Sequence, residues 1–198
     1  MDDSTSVLIV GGSLNGLTMA MLLARRRVPC LVLERHPQTS IQYKFRGISP
    51  RSMEIYRSAG IEADIRSRDL TDDSASVARM KNLADSEVSW QWIPPSDTSG
   101  VSSTTAATCD QDQLEPILRG HAERHGADVR FNTELVSFTQ SGDEVVARIR
   151  DRSTGAESGV RAQYLIGADG TQSAVREAVG VLRRSGHPAA LDERHFRV

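Results

Sequence analysis

The sequence predicts an α/β fold with a central parallel sheet, flanking helices and a small antiparallel meander. Three observations predict it. Val7-Leu8-Ile9-Val10 is a short, wholly apolar run ending at Gly11-Gly12, and such a run marks a strand buried on both faces, as parallel strands are. Leu14, Leu17, Met21 and Leu22 then recur at helical spacing, and Cys30-Leu31-Val32-Leu33 is a second buried run, so the first 34 residues form a β-α-β unit. Past residue 128, four strand-like stretches follow one another with Gly-containing turns between them.

Each element has a local reason. The first helix ends near Arg25-Arg26-Arg27, where the helix dipole favours cations, and a solvated helix end accounts for these arginines without any nucleic acid. Ser49-Pro50 opens a second helix, with Pro50 at its first position; the helix carries Met53, Ile55 and Tyr56 and stops near Gly60. Residues 75–108 change character: Val77, Met80, Val88, Trp90 and Trp92 lie in short strand-like stretches, and a polar loop rich in Ser and Thr runs from Pro94 to Thr108. Trp90 and Trp92 alternate as strand residues do, which suits packing first and a substrate pocket second. Asp110 is a good N-cap for a helix with Leu114, Ile117, Leu118 and Ala122 on one face, and Gly126 suits its end. Val129 and Phe131 begin a strand, followed by strands at Leu135–Phe138, Val145–Ile149 and Val160–Ile166, with Ser141-Gly142-Asp143 and Ser153-Thr154-Gly155 as turns. The expected core includes Leu8, Ile9, Val10, Leu17, Leu31, Val32, Leu33, Leu114, Leu118, Leu165 and Ile166.

Composition excludes several classes. Of 198 residues, 24 are Lys or Arg and 26 are Asp or Glu, a net charge of −2, which gives no electrostatic footprint for nucleic acid. Two cysteines, Cys30 and Cys109, make no disulfide framework, and no Cys/His spacing suggests zinc. The start, Met1-Asp2-Asp3-Ser4, lacks the basic flank and apolar core of a signal peptide, and no apolar run approaches the ~20 residues of a membrane span. A cytoplasmic location is therefore expected.

Three motifs carry chemistry. Gly11-Gly12-Ser13-Leu14-Asn15-Gly16 reads as the dinucleotide fingerprint G-x-G-x-x-G with Ser13 in place of the second glycine. Gly11 allows the turn, the second position lets backbone approach a pyrophosphate, Gly16 lets helix and strand pack, and helix N-terminal amides stabilise phosphate charge. Ser13 is small, and its hydroxyl is free in sequence terms to donate to phosphate. Glu34 ends the second strand 18 positions after Gly16, where an acidic group accepts hydrogen bonds from ribose hydroxyls. Tyr164-Leu165-Ile166-Gly167-Ala168-Asp169-Gly170 runs from a buried strand into a turn and then a helix opened near Ser173; Asp169 can accept from polyol hydroxyls and Gly170 permits close approach. A plain Asp-Gly turn with a capped helix is the structural alternative for this third motif.

In this order the motifs resemble the N-terminal part of FAD-dependent aromatic hydroxylases, the class A flavoprotein monooxygenases, and within them the polyketide-tailoring hydroxylases. The resemblance spans residues 6 to about 186 and rests on VLIVGGSLNG with LVLER, KFRGISPRSMEIYRSAG, CDQDQLEPIL and YLIGADGTQSAVR. It implies a Rossmann-like FAD-binding fold, with residues 1–180 as the FAD-binding domain, residues 75–108 as an excursion toward a substrate domain, and residues 181–198 as an irregular tail. It further implies that the turn from Gly11 to Gly16 holds the pyrophosphate and that Glu34 binds the adenosine ribose with Arg35 beside the adenine. Arg46 and Gln111 match flavin-contacting positions, and Asp169 matches one that contacts the ribityl chain or pyrophosphate. The chemistry implied is reduction of FAD by NAD(P)H and transfer of one oxygen atom from O₂ to an electron-rich aromatic or polyketide substrate. No Ser/His/Asp or paired-carboxylate constellation is needed for it, and His121, His125, His187 and His195 read as surface groups.

The family's chains are typically much longer, and Pro188 to Val198 does not resemble the expected continuation, so an incomplete fold lacking most of the substrate domain is expected. Two other readings stand beside the monooxygenase. One is a truncated, non-catalytic FAD-binding fragment. The other is an NAD-dependent Rossmann oxidoreductase, disfavoured by the Asp-Gly motif after a meander and by the lack of a catalytic Tyr/Lys or Cys/His pattern.

Overall fold

A computed structural model describes residues 3–41, 46–69, 76–79, 82, 89–92, 98 and 100–181. The side chains of Trp90 and Trp92, residues Met80 and Val88, part of the polar loop after Pro94, and the tail from residue 182 with His187 and His195 lie outside what is described.

The core is a six-stranded sheet. β1 (Asp3–Val10) runs into α1 (Leu14–Arg25), which returns the chain to β2 (Cys30–Leu33), parallel to β1. β7 (Asp128–Arg130) pairs in parallel with β2 on the outside, and β10 (Glu157–Gly167) pairs in parallel with β1 on the other side. β8 (Thr133–Ser141) and β9 (Glu144–Asp151) complete the order β7-β2-β1-β10-β9-β8, so the meander and the parallel half are one continuous sheet. β10 is shared: Glu157–Ala162 pair with β9, whereas among the described residues no strand flanks 163–167 on that side. There Tyr164 is 65% exposed, and Leu165 and Ile166, expected in the core, are only half-buried.

Two apolar clusters sandwich the sheet. Val7, Ile9 and Val32 face α1 and α4 (Gln111–Arg124), meeting Leu17, Met21, Leu114 and Leu118. Leu8, Leu31 and Leu33 point the other way and meet Ala147, Ile149, Val160 and Ala162 of the meander. The two-faced burial explains why β1 and β2 carry unbroken apolar runs.

α2 (Pro50–Ser58) begins as expected, with the Ser49 hydroxyl accepting from the Ser52 N–H. α3 (Glu62–Arg66), β3 (Gly47–Ile48) and β6 (Ala107–Thr108), the last two an antiparallel pair, have no clear signal in the sequence. β4 (Ser76–Arg79) and β5 (Ser89–Trp92) form a separate two-stranded ladder within the 75–108 excursion. Two expectations need correction. Phe131 does not belong to a strand, because β7 ends at Arg130 and residues 131–132 turn the chain, with Asn132 at φ +53. His121 is not a surface group: its side chain is 13% exposed, wedged between α4 and α3, with Nε2 2.6 Å from an Asp64 carboxylate oxygen.

Candidate functional site

The carboxyl ends of β1, β2 and β10 and the N-termini of α1 and α4 surround a cleft of about 570 Å³. In an open parallel sheet, this end is where ligands bind. Gly11, Gly12, Ser13, Glu34, Arg35, Gln111, Asp169 and Gly170 all line it. They lie up to 159 positions apart (170 − 11) and are brought together by the β2-β1-β10 order.

The glycine turn is packed too tightly for other residues. Gly11 has φ +107, and a Cβ there would lie 2.3 Å from the Ala168 carbonyl oxygen, just past the end of β10. A Cβ on Gly16 would sit 1.8 Å from the Gly11 carbonyl oxygen. This contact presses the first turn of α1 against the strand end, and the cleft wall at Gly11 and Gly12 is bare backbone. Gly16 is buried and, with half-buried Leu14 and exposed Asn15, does not line the cleft; these three shape the helix start.

Glu34 is 8% exposed. One carboxylate oxygen accepts the Gly12 N–H at 2.7 Å, and the other accepts the His36 N–H at 2.8 Å with the His36 Nδ1 at 2.6 Å. The strand-end carboxylate thus braces the glycine turn and the loop after β2.

Across the cleft, the carboxylate of Asp169 accepts from the Ser173 hydroxyl and from the Val175 N–H at 3.1 Å, which anchors the start of α5 (Ala174–Ala178). Gly170 is exposed, at φ +82. Arg46 is not among the cleft residues. Its guanidinium meets Asp110 in two contacts, Nε at 2.7 Å and Nη2 at 3.3 Å. Asp110 does occupy the N-cap of α4, but its side chain makes no capping hydrogen bond there because it holds Arg46.

Two features depart from what the sequence suggests. The Ser13 hydroxyl proton goes to Glu115, with O···O 2.5 Å, instead of remaining available to a phosphate. Glu115, 1% exposed and also lining the cleft, has no role predictable from the motifs. It also receives the Gln111 Nε2 at 2.7 Å and the Ser40 N–H at 2.7 Å. Its signal was present: Glu115 falls within the stripe 111, 114, 115, 118, 122 that α4 buries. A charged residue in such a stripe marks either a buried network or a ligand.

Among the described residues no group of three or more His, Cys, Asp or Glu could hold a metal, and no helix is long and apolar enough to cross a membrane. Both cysteines are free and buried. Burial first, then Asp110, Asp69 and Asp112, pushes the Cys109 thiol up to about 11.

Known proteins share this arrangement. A family model described as an FAD binding domain (FAD_binding_3) matches residues 4–198. The chain is 45% identical over 191 residues to a tetracenomycin B2 monooxygenase-dioxygenase of Streptomyces olivaceus, covering 88% of this chain and 35% of the relative. It is 41% identical to the aklavinone 12-hydroxylase DnrF of Streptomyces peucetius subsp. caesius, covering 91% and 38%. Among solved structures, the flavin-dependent monooxygenase PieE in complex with FAD and substrate superposes with a TM-score of 0.80 at 34% identity, covering 90% of this chain and 32% of that one. Aklavinone-11 hydroxylase in a ternary complex with FAD and aklavinone gives a TM-score of 0.78 at 36% identity, covering 91% and 36%. The chain therefore spans about a third of the length of the curated relatives it matches.

Proposed function

The chain belongs to the FAD_binding_3 family of FAD binding domains, and we propose that its cleft holds the adenosine and pyrophosphate part of FAD for a monooxygenase acting on an aromatic polyketide. One observation carries the reading. The glycine turn at the N-terminus of α1, the carboxylate of Glu34, the amide of Gln111 and the Asp169-Gly170 corner line a single cleft at the carboxyl end of the sheet.

The residues fit the group. The first amides of a 12-residue helix have no intrahelical acceptors, and with the positive end of the helix dipole they suit a pyrophosphate. No Cβ intrudes at Gly11 or Gly12. Glu34 already orients its carboxylate through Gly12 and His36 and retains lone pairs for ribose hydroxyls. Arg35 borders the adenine side. Asp169 and Gly170 serve the ribityl–pyrophosphate side, and since α5 occupies much of the Asp169 carboxylate, the backbone there carries the contact. Arg46 acts toward the flavin, and its two contacts with Asp110 support a fixed orientation.

FAD supplies the redox and oxygen chemistry when bound; the protein binds, orients and shields it. NAD(P)H as reductant and a polyketide as substrate rest on the family resemblance and on relatives that are named for tetracenomycin and aklavinone. We place residues 1–180 in the FAD-binding domain, with 75–108 as its arm toward a substrate domain. Two buried free thiols support a reducing, cytoplasmic setting.

The test is a titration of the purified chain with FAD, followed by quenching of flavin fluorescence. Saturable binding is expected, weakened about tenfold or more by Glu34→Ala, the equivalent of ~1.4 kcal/mol. A folded chain that leaves FAD fluorescence unchanged at every concentration overturns the reading.

A further inference from the structure

We propose that Glu115 is a positioning residue for the flavin nucleotide: it turns the Gln111 side chain so that the carbonyl oxygen, not the amide nitrogen, is presented to the ligand. This rests on the FAD reading and deepens it.

Hydrogen-bonding capacity decides the orientation. The Gln111 side chain has two N–H donors and one oxygen acceptor. Its Nε2 donates to Glu115 Oε1 at 2.7 Å and to Ser13 Oγ at 3.1 Å. Ser13 has a single proton, and it too goes to Glu115 Oε1. The second Glu115 oxygen takes the Ser40 N–H at 2.7 Å. Three donors from three separate segments, the glycine turn, the loop after β2 and α4 itself, thus converge on one carboxylate that is 1% exposed. Reversing the Gln111 amide would set its oxygen against the carboxylate and against a hydroxyl whose proton is already committed. The network therefore fixes the amide's orientation through its chemistry.

The consequence lies on the other side of the amide. Among the described residues no group donates to Gln111 Oε1, and that oxygen is not sealed from solvent. It is the acceptor that Gln111 leaves open to a ligand in the cleft it lines. An acceptor in that position selects a hydroxyl or an N–H of the nucleotide and repels a phosphoryl oxygen. Ser13, its proton committed, offers the pyrophosphate only its backbone. The anionic part of the ligand is thus left to the glycine turn, and the α4 side is reserved for a donor.

The experiment compares FAD dissociation constants, by fluorescence quenching, for the wild-type chain, Glu115→Gln, Gln111→Met and the double variant. The visible circular dichroism of bound flavin and the melting temperature of the flavin-free chain are recorded alongside. Each single change is expected to weaken FAD about tenfold, ~1.4 kcal/mol. The double variant is expected to be no weaker than either single one, because both losses remove the same oriented oxygen. Losses that multiply to about a hundredfold in the double variant would mean that the two residues act independently, and would overturn the proposal. So would a Glu115→Gln chain that binds FAD as the wild type does. Should Glu115→Gln fail to fold, Gln111→Glu decides: it keeps an acceptor but replaces the inward N–H donors. Binding at least as weak as that of Gln111→Met is expected, and wild-type affinity would overturn the proposal. A wild-type chain that binds no FAD removes the functional reading itself, an outcome distinct from all of these.

Discussion

Ser13 shows how a residue's inventory decides its role. The sequence leaves its hydroxyl free for phosphate, but the proton is committed to Glu115, 102 positions away. No local pattern contains that partner. Gly16, by contrast, was legible, because the contact that excludes its side chain lies within a strand-turn-helix of consecutive residues, and Gly11 was legible through the turn that needs its positive φ, although the atom a Cβ there would strike belongs to Ala168. The demand is severe at Gly16, where a Cβ would approach the Gly11 carbonyl oxygen to 1.8 Å and only backbone could yield. Gly16→Ala is expected to destabilise the chain by about 2 kcal/mol or more in urea unfolding. Gly47, where an added Cβ would have no neighbour within 4 Å, is the control, and Gly47→Ala should lie within about 0.5 kcal/mol of wild type. Glu115 lies in the stripe that α4 buries, but its role was missed for the same reason as that of Ser13: the partners that satisfy its carboxylate, Ser13 and Ser40, lie far away in the sequence.

At the level of elements, those with an unbroken local signal were readable: β1, α1, β2, α4 and the strands of the meander. α3, β3 and β6 were not, because their reasons lie in tertiary contacts. Arg66, at the end of α3, donates to the carbonyl oxygens of Ala106 (2.8 Å) and Thr105 (2.8 Å), to the hydroxyls of Thr104 (3.1 Å) and Thr105 (3.0 Å), and to Asp69 (2.9 Å). The Glu62 carboxylate accepts from the Thr104 hydroxyl on the same segment. One arginine thus fastens the approach to β6, which carries the chain into Asp110 and α4. Arg66→Ala is expected to open this segment and speed limited proteolysis within residues 98–108 several-fold, while cleavage around α1 stays unchanged. Equal rates at 98–108 in both chains would show that the fastening is redundant. The meander was legible as strands but not as part of the main sheet, since its continuity depends on β10 pairing with both β1 and β9.

Across the whole molecule, proton linkage sets an alkaline limit. Cys109 titrates near 9 in the unfolded chain and about 11 in the folded one, and burial also raises Cys30 and Tyr56. A group whose pKa is raised by folding contributes its full share of stability below the unfolded value and loses it as pH climbs through the folded one. The chain should therefore lose stability between about pH 9 and pH 11, and Cys109→Ala should flatten that slope in urea melts taken across the range. An unchanged slope would place the alkaline transition elsewhere. The strand order also sets a schedule for synthesis. β1 lies between β2 and β10, and Asp3 pairs with Val160. At ~5–20 residues per second, one edge of β1 waits on the order of 10–30 s for its neighbour to leave the ribosome. Until then, Ala168 is not there to close over Gly11, and Asp169 does not yet face Glu34. The cleft between the glycine turn and the Asp169 corner is thus completed late, only after most of the described residues have been translated.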